Sequence, residues 1–254
     1  GDVASLLEPG ATSASPRRAI VERTAARQRF HHWELAFAEV FADRGGMDVF
    51  LGNPPWIKLQ WTEADVLGDF EPTVVLRSLS AKQVADKRKA QLGADPTARA
   101  AYLEECEETA GIGSVLNARQ AYPLLQGVQT NLYKAFMTRG WALAGDTGAS
   151  GFFHQPGVFD DPHGGNLRAA YYCRLRFAAL CKNQLKVFPE VHHERPFAFS
   201  VGRYRDGEPK FRLIANLYHP RTLDESESHD GAGSIPGLEA PDGEWILRGH
   251  RSRI

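Results

Sequence analysis

Gly45 and Gly46 open onto an apolar run, Met47-Asp48-Val49-Phe50-Leu51-Gly52, that stops abruptly at Asn53-Pro54-Pro55-Trp56. The run is too short for a helix of ordinary length, and glycines before it and prolines after it bound it on both sides, so it reads as a β-strand. Pro54 and Pro55 lack backbone donors and cannot extend a ladder, so the strand has to end near Gly52. Continuous rather than alternating apolarity predicts a strand covered on both faces, as in parallel sheets. Parallel neighbours need long crossovers, usually helical, and this one strand therefore asks the rest of the chain for helices placed between strands.

The remaining sequence supplies them. Ser15-Pro16 is an N-cap followed by proline at the first helical position, and Ile20, Val21, Thr24, Ala25 and Gln28 trace one stripe of a helix. The aromatic-rich stretch from Phe30 to Phe41 has no clear period. Between Ile57 and about Gly127 alanine, lysine and glutamate recur at helical spacing, including Ala81 to Leu92 and Pro96 to Thr109, which predicts a helical insertion over 57–127. Asn131 to Ala144 reads as a further helix with Leu132, Ala135, Phe136 and Trp141 near its apolar stripe. Gly148 to Gly151 turns into a second buried strand, Gly151 to Gln155, ended by Pro156. A helix from about Asn166 to Cys181 leads to Gln184–Phe188, and Pro196–Arg203 and Phe211–Leu217 read as strands. Strands separated by helices predict an α/β sheet with right-handed crossovers. From Arg221 the sequence turns acidic and glycine-rich, and no internal repeat is present.

Bulk composition narrows the function classes. With 254 residues, 43% hydrophobic and 24% charged, the chain can bury a substantial core. The net charge of -1 gives no global positive field, so any nucleic-acid contact has to come from local patches. Basic residues cluster at Arg17 to Arg29, Lys82 to Lys89, Arg203 to Arg212 and Arg248 to Arg253, each of which also reads as a solvated face. Cys106, Cys173 and Cys181 form no C-x-x-C pair, which argues against a disulfide framework or structural zinc and fits a cytoplasmic location. His31-His32 and His192-His193 are adjacent pairs whose rings point different ways, so no metal site is expected. No signal peptide, membrane span, G-x-S-x-G elbow, H-E-x-x-H helix or P-loop is found, so no membrane partner is expected.

Chemistry is concentrated at Asn53–Trp56. In α/β sheets ligands bind outside the carboxyl ends of the strands, where this loop begins. Its residue types suit methylation of an exocyclic amine, a poor nucleophile because its lone pair is delocalised into a ring. The side-chain oxygen of Asn53 and the carbonyl of Pro54 can each accept one amine hydrogen bond, turning the lone pair toward a methyl donor. The prolines hold those carbonyls in a rigid geometry, and Trp56 offers a face on which an extruded base can stack. The same residues would also serve as a plain strand-ending turn.

With these residues the chain resembles the amino-DNA methyltransferases of the TaqI and Eco57I type, which accompany restriction-modification and phage-defence systems. The resemblance runs from about Phe30 to Leu217: W-E-L-A-F-A-E-V-F, then G-G-M-D-V-F-L-G-N-P-P-W, then N-L-Y-K-A-F at Asn131 to Phe136, G-A-S-G-F-F-H-Q-P-G-V-F at Gly148 to Phe159, and L-K-V-F-P-E-V around Phe188. It implies a Rossmann-like class I methyltransferase sheet, here incomplete: the catalytic strand and those after it. It implies S-adenosyl-L-methionine as cofactor, with Asn53 and Phe136 among its contacts, and double-stranded DNA as partner, with a flipped adenine held between Trp56 and Phe188. Taken alone, Phe136 and Phe188 each read as core aromatics; the order of the segments assigns them these roles. Lys87, Arg88, Lys89, His193 and Arg195 are candidate DNA-backbone contacts. Residues 1–29 are expected to form a linker and lead-in helix, 30–220 the catalytic domain, and 221–254 a linker or the start of a following domain. The family's glycine-rich cofactor loop has no counterpart upstream of Asp48, so the chain is expected to be inactive alone and cut from a longer polypeptide, where restriction or defence-system subunits or domains would be further partners. The alternatives are a methyltransferase for another planar amine, such as a protein glutamine or an RNA guanine, and a non-catalytic DNA-recognition or assembly module.

Overall fold

In the computed structural model, which describes residues 16–77, 79–128, 131–218 and 222–224, the chain divides into two units, Gly1–Gly45 and Gly46–Ile254. Ser15, the leading linker and the run 225–254 lie outside the described residues. In the first unit α1 (Pro16–Gln28) begins on its proline as expected, but none of its residues is buried, so the Ile20/Val21 stripe stays exposed. The aperiodic aromatic stretch forms two short helices, α2 (Trp33–Ala36) and α3 (Ala38–Arg44), broken at Phe37, whose ring stacks on Trp33 at 5.7 Å. Gly45, at φ 71°, caps α3 in the left-handed conformation and donates its N–H to Phe41 O.

The second unit carries a five-stranded mixed sheet in the order β1-β2-β4-β3-β5, which makes the protein α/β. Its strands are β1 (Met47–Gly52), β2 (Ala144–His154), β3 (Leu175–Lys182), β4 (Pro196–Arg203) and β5 (Arg212–Leu217). β1 is parallel to β2 and β3 to β5, while β4 runs antiparallel between β2 and β3. Between β1 and β2 lie α4 (Glu63–Gly68), α5 (Thr73–Leu76), α6 (Ala81–Ala94), α7 (Pro96–Leu116) and α8 (Leu132–Leu143). α9 (Gly157–Asp160) and α10 (Gly165–Arg174) join β2 to β3.

Helix boundaries follow local chemistry. Ser80 and Gln83 form a reciprocal capping box at α6. Asp95 caps α7 by accepting from the N–H groups of Thr97 and Ala98, with Pro96 at the first helical position. Leu67, Val74, Val84 and Tyr102 of α4–α7 bury a small core of their own. The main core joins Met137 and Trp141 of α8, Leu167 and Tyr171 of α10, and Phe152, Leu175 and Ala178 of the sheet. Gly140 lets α8 approach closely, since a Cβ there would meet the Phe152 ring at 3.1 Å and Phe50 at 3.8 Å. At Gly46, φ 154°, a Cβ would fall 2.6 Å from the backbone nitrogen of Gly145, so the entry to β1 admits no side chain.

Four expectations need correction. β1 has the expected bounds but, among the described residues, is an edge strand with only its Phe50 face covered; Val49 and Leu51 are 65% and 77% exposed. Apolar continuity reports what each residue tolerates and cannot show whether a neighbour lies over a given face. β2 starts at Ala144 rather than Gly151: Met47 pairs with Ala144 and Val49 with Ala149, and the register irregularity between them absorbs the glycine-rich turn. The helix expected to reach Cys181 ends at Arg174, and Leu175–Lys182 is a strand held between β4 and β5. A short apolar run with two alanines fits either state, and its two ladders decide it. On α8 the buried stripe runs through Tyr133, Met137 and Trp141, leaving Phe136 outside it.

These burials separate two leucines by their effect on stability. Leu175→Ala is expected to lower unfolding free energy by about 2–5 kcal/mol, whereas Leu51→Thr changes it by less than about 0.5 kcal/mol. Denaturant titration of both variants checks the difference, and equal losses would mean that the exposed face of β1 is covered in solution.

Candidate functional site

Beyond Gly52 the chain cannot stay in the ladder, and Asn53–Trp56 form a loop with Pro54 buried, Trp56 half-buried, and Asn53 and Pro55 exposed. The loop is fastened to two neighbouring segments, one of which is tied in turn to a third. Trp56 Nε1 donates to Phe153 O at the end of β2 (3.4 Å). Leu132 N donates to Ile57 O (2.9 Å), and Lys58 forms an antiparallel bridge with Asn131. Asn131 then caps α8 by accepting from Tyr133 N and donates Nδ2 to Gln155 Oε1 at 2.8 Å. The strand end, the helix start and the segment after β2 are thus tied around one short loop.

A second segment meets this loop from across the sheet. Phe153, Phe197 and Phe199 lie on the same sheet face as Val49 and Leu51, as the β1–β2 and β2–β4 registers require. Phe188 packs on this face against Phe197 at 4.9 Å and Phe153 at 5.7 Å, and its ring meets Trp56 edge-on at 5.5 Å. Asn53–Trp56 and Phe188–Val191 together line a cavity of about 340 Å³, within the range of small-ligand sites. Trp56 and Phe188, expected on either side of a base, touch each other here. A ring sandwiched between them would need a separation of roughly 7 Å, so in this form they make one continuous wall beside the cavity.

Phe136 does not line that cavity. Its ring is 52% exposed on α8, the helix packed against the covered face of β1. Asn53, at the end of the same strand, is also exposed, so both residues expected to contact a cofactor are accessible to one. His193 and Arg195 are exposed just beyond the cavity wall, in a turn where Arg195 N donates to His192 O. The α6 cluster is less available. Lys87 pairs with Glu71 at 3.5 Å and Arg88 with Glu63, which also accepts from the Tyr102 hydroxyl; Lys89 is exposed. The Tyr102 hydroxyl and then Arg88 hold the Glu63 carboxyl below its ordinary value. Lys87 and Arg88 therefore already join helices of the α4–α7 group.

Sequence reading missed the buried polar residues beneath the loop. Lys134 of α8 is buried and paired with Asp161. Burial alone would raise the Asp161 carboxyl, but the hydrogen bond from Lys134 and the His163 N–H bring it below its ordinary value. His154, fully buried, stacks on Tyr133 at 5.4 Å, its Nδ1 2.8 Å from Gln155 O and its Nε2 3.0 Å from Ser200 Oγ. The sequence signals were a lysine amid apolar helix positions and a histidine ending an apolar strand; lysine is mostly exposed and histidine only intermediate in burial.

No protein-family model matches the chain, and no curated protein matches it. Among the described residues no helix is long and apolar enough to cross a membrane.

Burial pushes His154 down to about 4, whereas an unfolded chain protonates its histidines near about 6.5. The folded state thus keeps the ring neutral. Its contribution to stability is fully present above pH ~6.5 and is lost as the pH falls toward ~4, by on the order of 3 kcal/mol. In denaturant unfolding the stability advantage of wild type over His154→Gln should shrink by about 2 kcal/mol between pH 7 and pH 4.5. A difference that stays constant would rule out a neutral buried His154.

Proposed function

We propose that this chain carries the target-base side of an S-adenosylmethionine-dependent adenine-N6 DNA methyltransferase, built on a Rossmann-like sheet. One observation above all supports the reading: Asn53–Trp56 and Phe188–Val191, far apart in sequence, line one cavity at the carboxyl end of a parallel strand. Its volume suits a single planar base better than an extended ligand. The strand order β1-β2-β4-β3, with β4 antiparallel, is compatible with the carboxyl-terminal half of that fold.

In this reading a flipped adenine lies against the Trp56/Phe188 wall. Asn53 Oδ1 and the carbonyl of Pro54 accept the two hydrogens of its amine, which withdraws the lone pair from the ring and aims it out of the base plane. Asn53 and Phe136 would hold the cofactor. S-adenosylmethionine, when bound, supplies a sulfonium-activated methyl carbon and departs as a neutral thioether. The alkylated amine is acidic enough to shed its extra proton to water, so the loop needs no strong base, and none lines the cavity besides the exposed Glu190 carboxylate. His193 and Arg195, exposed beyond the wall, would reach the backbone of the distorted strand, and Lys89, exposed on α6, would add a further cation.

The test is transfer of labelled methyl from S-adenosylmethionine to duplex DNA by the chain in its natural polypeptide. Asn53→Ala should reduce the rate by about 100-fold or more, the scale of losing one well-placed polar contact to reacting atoms. Label incorporated into protein or RNA instead would select the other planar-amine reading. Cofactor binding without transfer to any acceptor would select a non-catalytic DNA-binding role.

A further inference from the structure

The wall carrying Phe188 begins from a fully buried asparagine. Asn183 is completely shielded from solvent. Its Nδ2 donates to Phe188 O at 2.9 Å and to Val191 O at 2.7 Å, and its Oδ1 accepts from Phe188 N at 3.0 Å. Both amide hydrogens are used, and one side chain therefore grips the two ends of the Phe188–Val191 wall. The reversal that makes this possible is at Lys186, whose φ is 51°. The loop also closes on itself, Lys186 N donating to Asn183 O (2.8 Å) and Val191 N to Phe188 O (3.1 Å), while Leu185 and Val187 are exposed, so apart from the Phe188 ring it gains little from apolar burial.

We infer that Asn183 is a positioning residue for the cavity: it sets where the Phe188 ring stands against Trp56 and so fixes the surface on which a base is received. This rests on the base-binding reading above. It goes beyond that reading by assigning the shape of the wall to a residue outside the cavity. The chemistry explains why asparagine stands there. Aspartate has the same size but no donor, and would turn a carboxylate oxygen toward the two carbonyls that Nδ2 now bridges. Serine can serve at most one of the two carbonyls.

The full chain labelled with 5-fluorotryptophan tests this, with the Trp56 fluorine line identified by Trp56→Phe. In Asn183→Asp and Asn183→Ser the Trp56 line should shift or broaden while that of Trp61, in the separate core of α4–α7, stays in place. Titrated 2′-deoxyadenosine should move the Trp56 line of wild type saturably, with affinity at least tenfold lower in Asn183→Asp. An unmoved Trp56 line in both variants overturns the proposal. So does collapse of all tryptophan lines in both, which would show that Asn183 holds the sheet rather than the wall. A Trp56 line that moves in the variants while deoxyadenosine leaves wild type unchanged supports the positioning role and refutes the base-binding reading.

Discussion

Two parallel strands cannot be joined by a tight turn, because the chain leaves the first at its carboxyl end and enters the second at its amino end. β1 and β2 are such a pair, and the consequences organise the whole second unit. The chain emerging from Gly52 must travel the length of the sheet in reverse, and it does so through α8, packed on Phe50 and Phe152 at Gly140. Asn53–Trp56 therefore lie at the strand's carboxyl end as a matter of topology. The helices α4–α7 occupy the same connection and bury a core of their own. They lengthen the crossover without changing where it begins and ends.

The candidate site is made rigid from two directions. Backbone pairing at Ile57 and Lys58 with the start of α8, and the Trp56 indole on Phe153 O, hold the first wall. Rings of Phe153 and Phe197 support Phe188 in the second. Beneath both lie polar groups buried in satisfied pairs, Lys134 with Asp161 and His154 with Ser200. Such groups are costly to bury and tolerate few arrangements, so they fix one packing among several that apolar contacts alone would allow.

Charge shows a different division of labour. The chain is nearly neutral overall, and its most compact basic run sits on α6. There Lys87 and Arg88 face Glu71 and Glu63, so their charge is largely balanced within the α4–α7 group. The exposed lysines closest in sequence to the cavity are instead Lys58 and Lys186, each two residues from a lining residue, with Arg195 four residues beyond Val191.

By itself the sequence determined β1, its abrupt end at Asn53, the starts of α6 and α7, and the α/β class. Each rests on local chemistry: glycine and proline restrict the backbone, side chains near a helix start satisfy its orphan donors, and strand and helix periods differ. The Asn53–Trp56 segment was also legible from its residue types, whereas Phe188 alone read as a core aromatic and was singled out only by the order of segments in the family resemblance. Tertiary structure decided the rest. Leu175–Lys182 is a strand because two ladders claim it, β2 starts early because its bulge can pair with Met47, and β1 stands at an edge with one face open. Only the folded chain could set Trp56 against Phe188, or let Asn183 grip the wall from behind. Those contacts join residues far apart in sequence or buried from view, and no local pattern encodes which surface a side chain will meet.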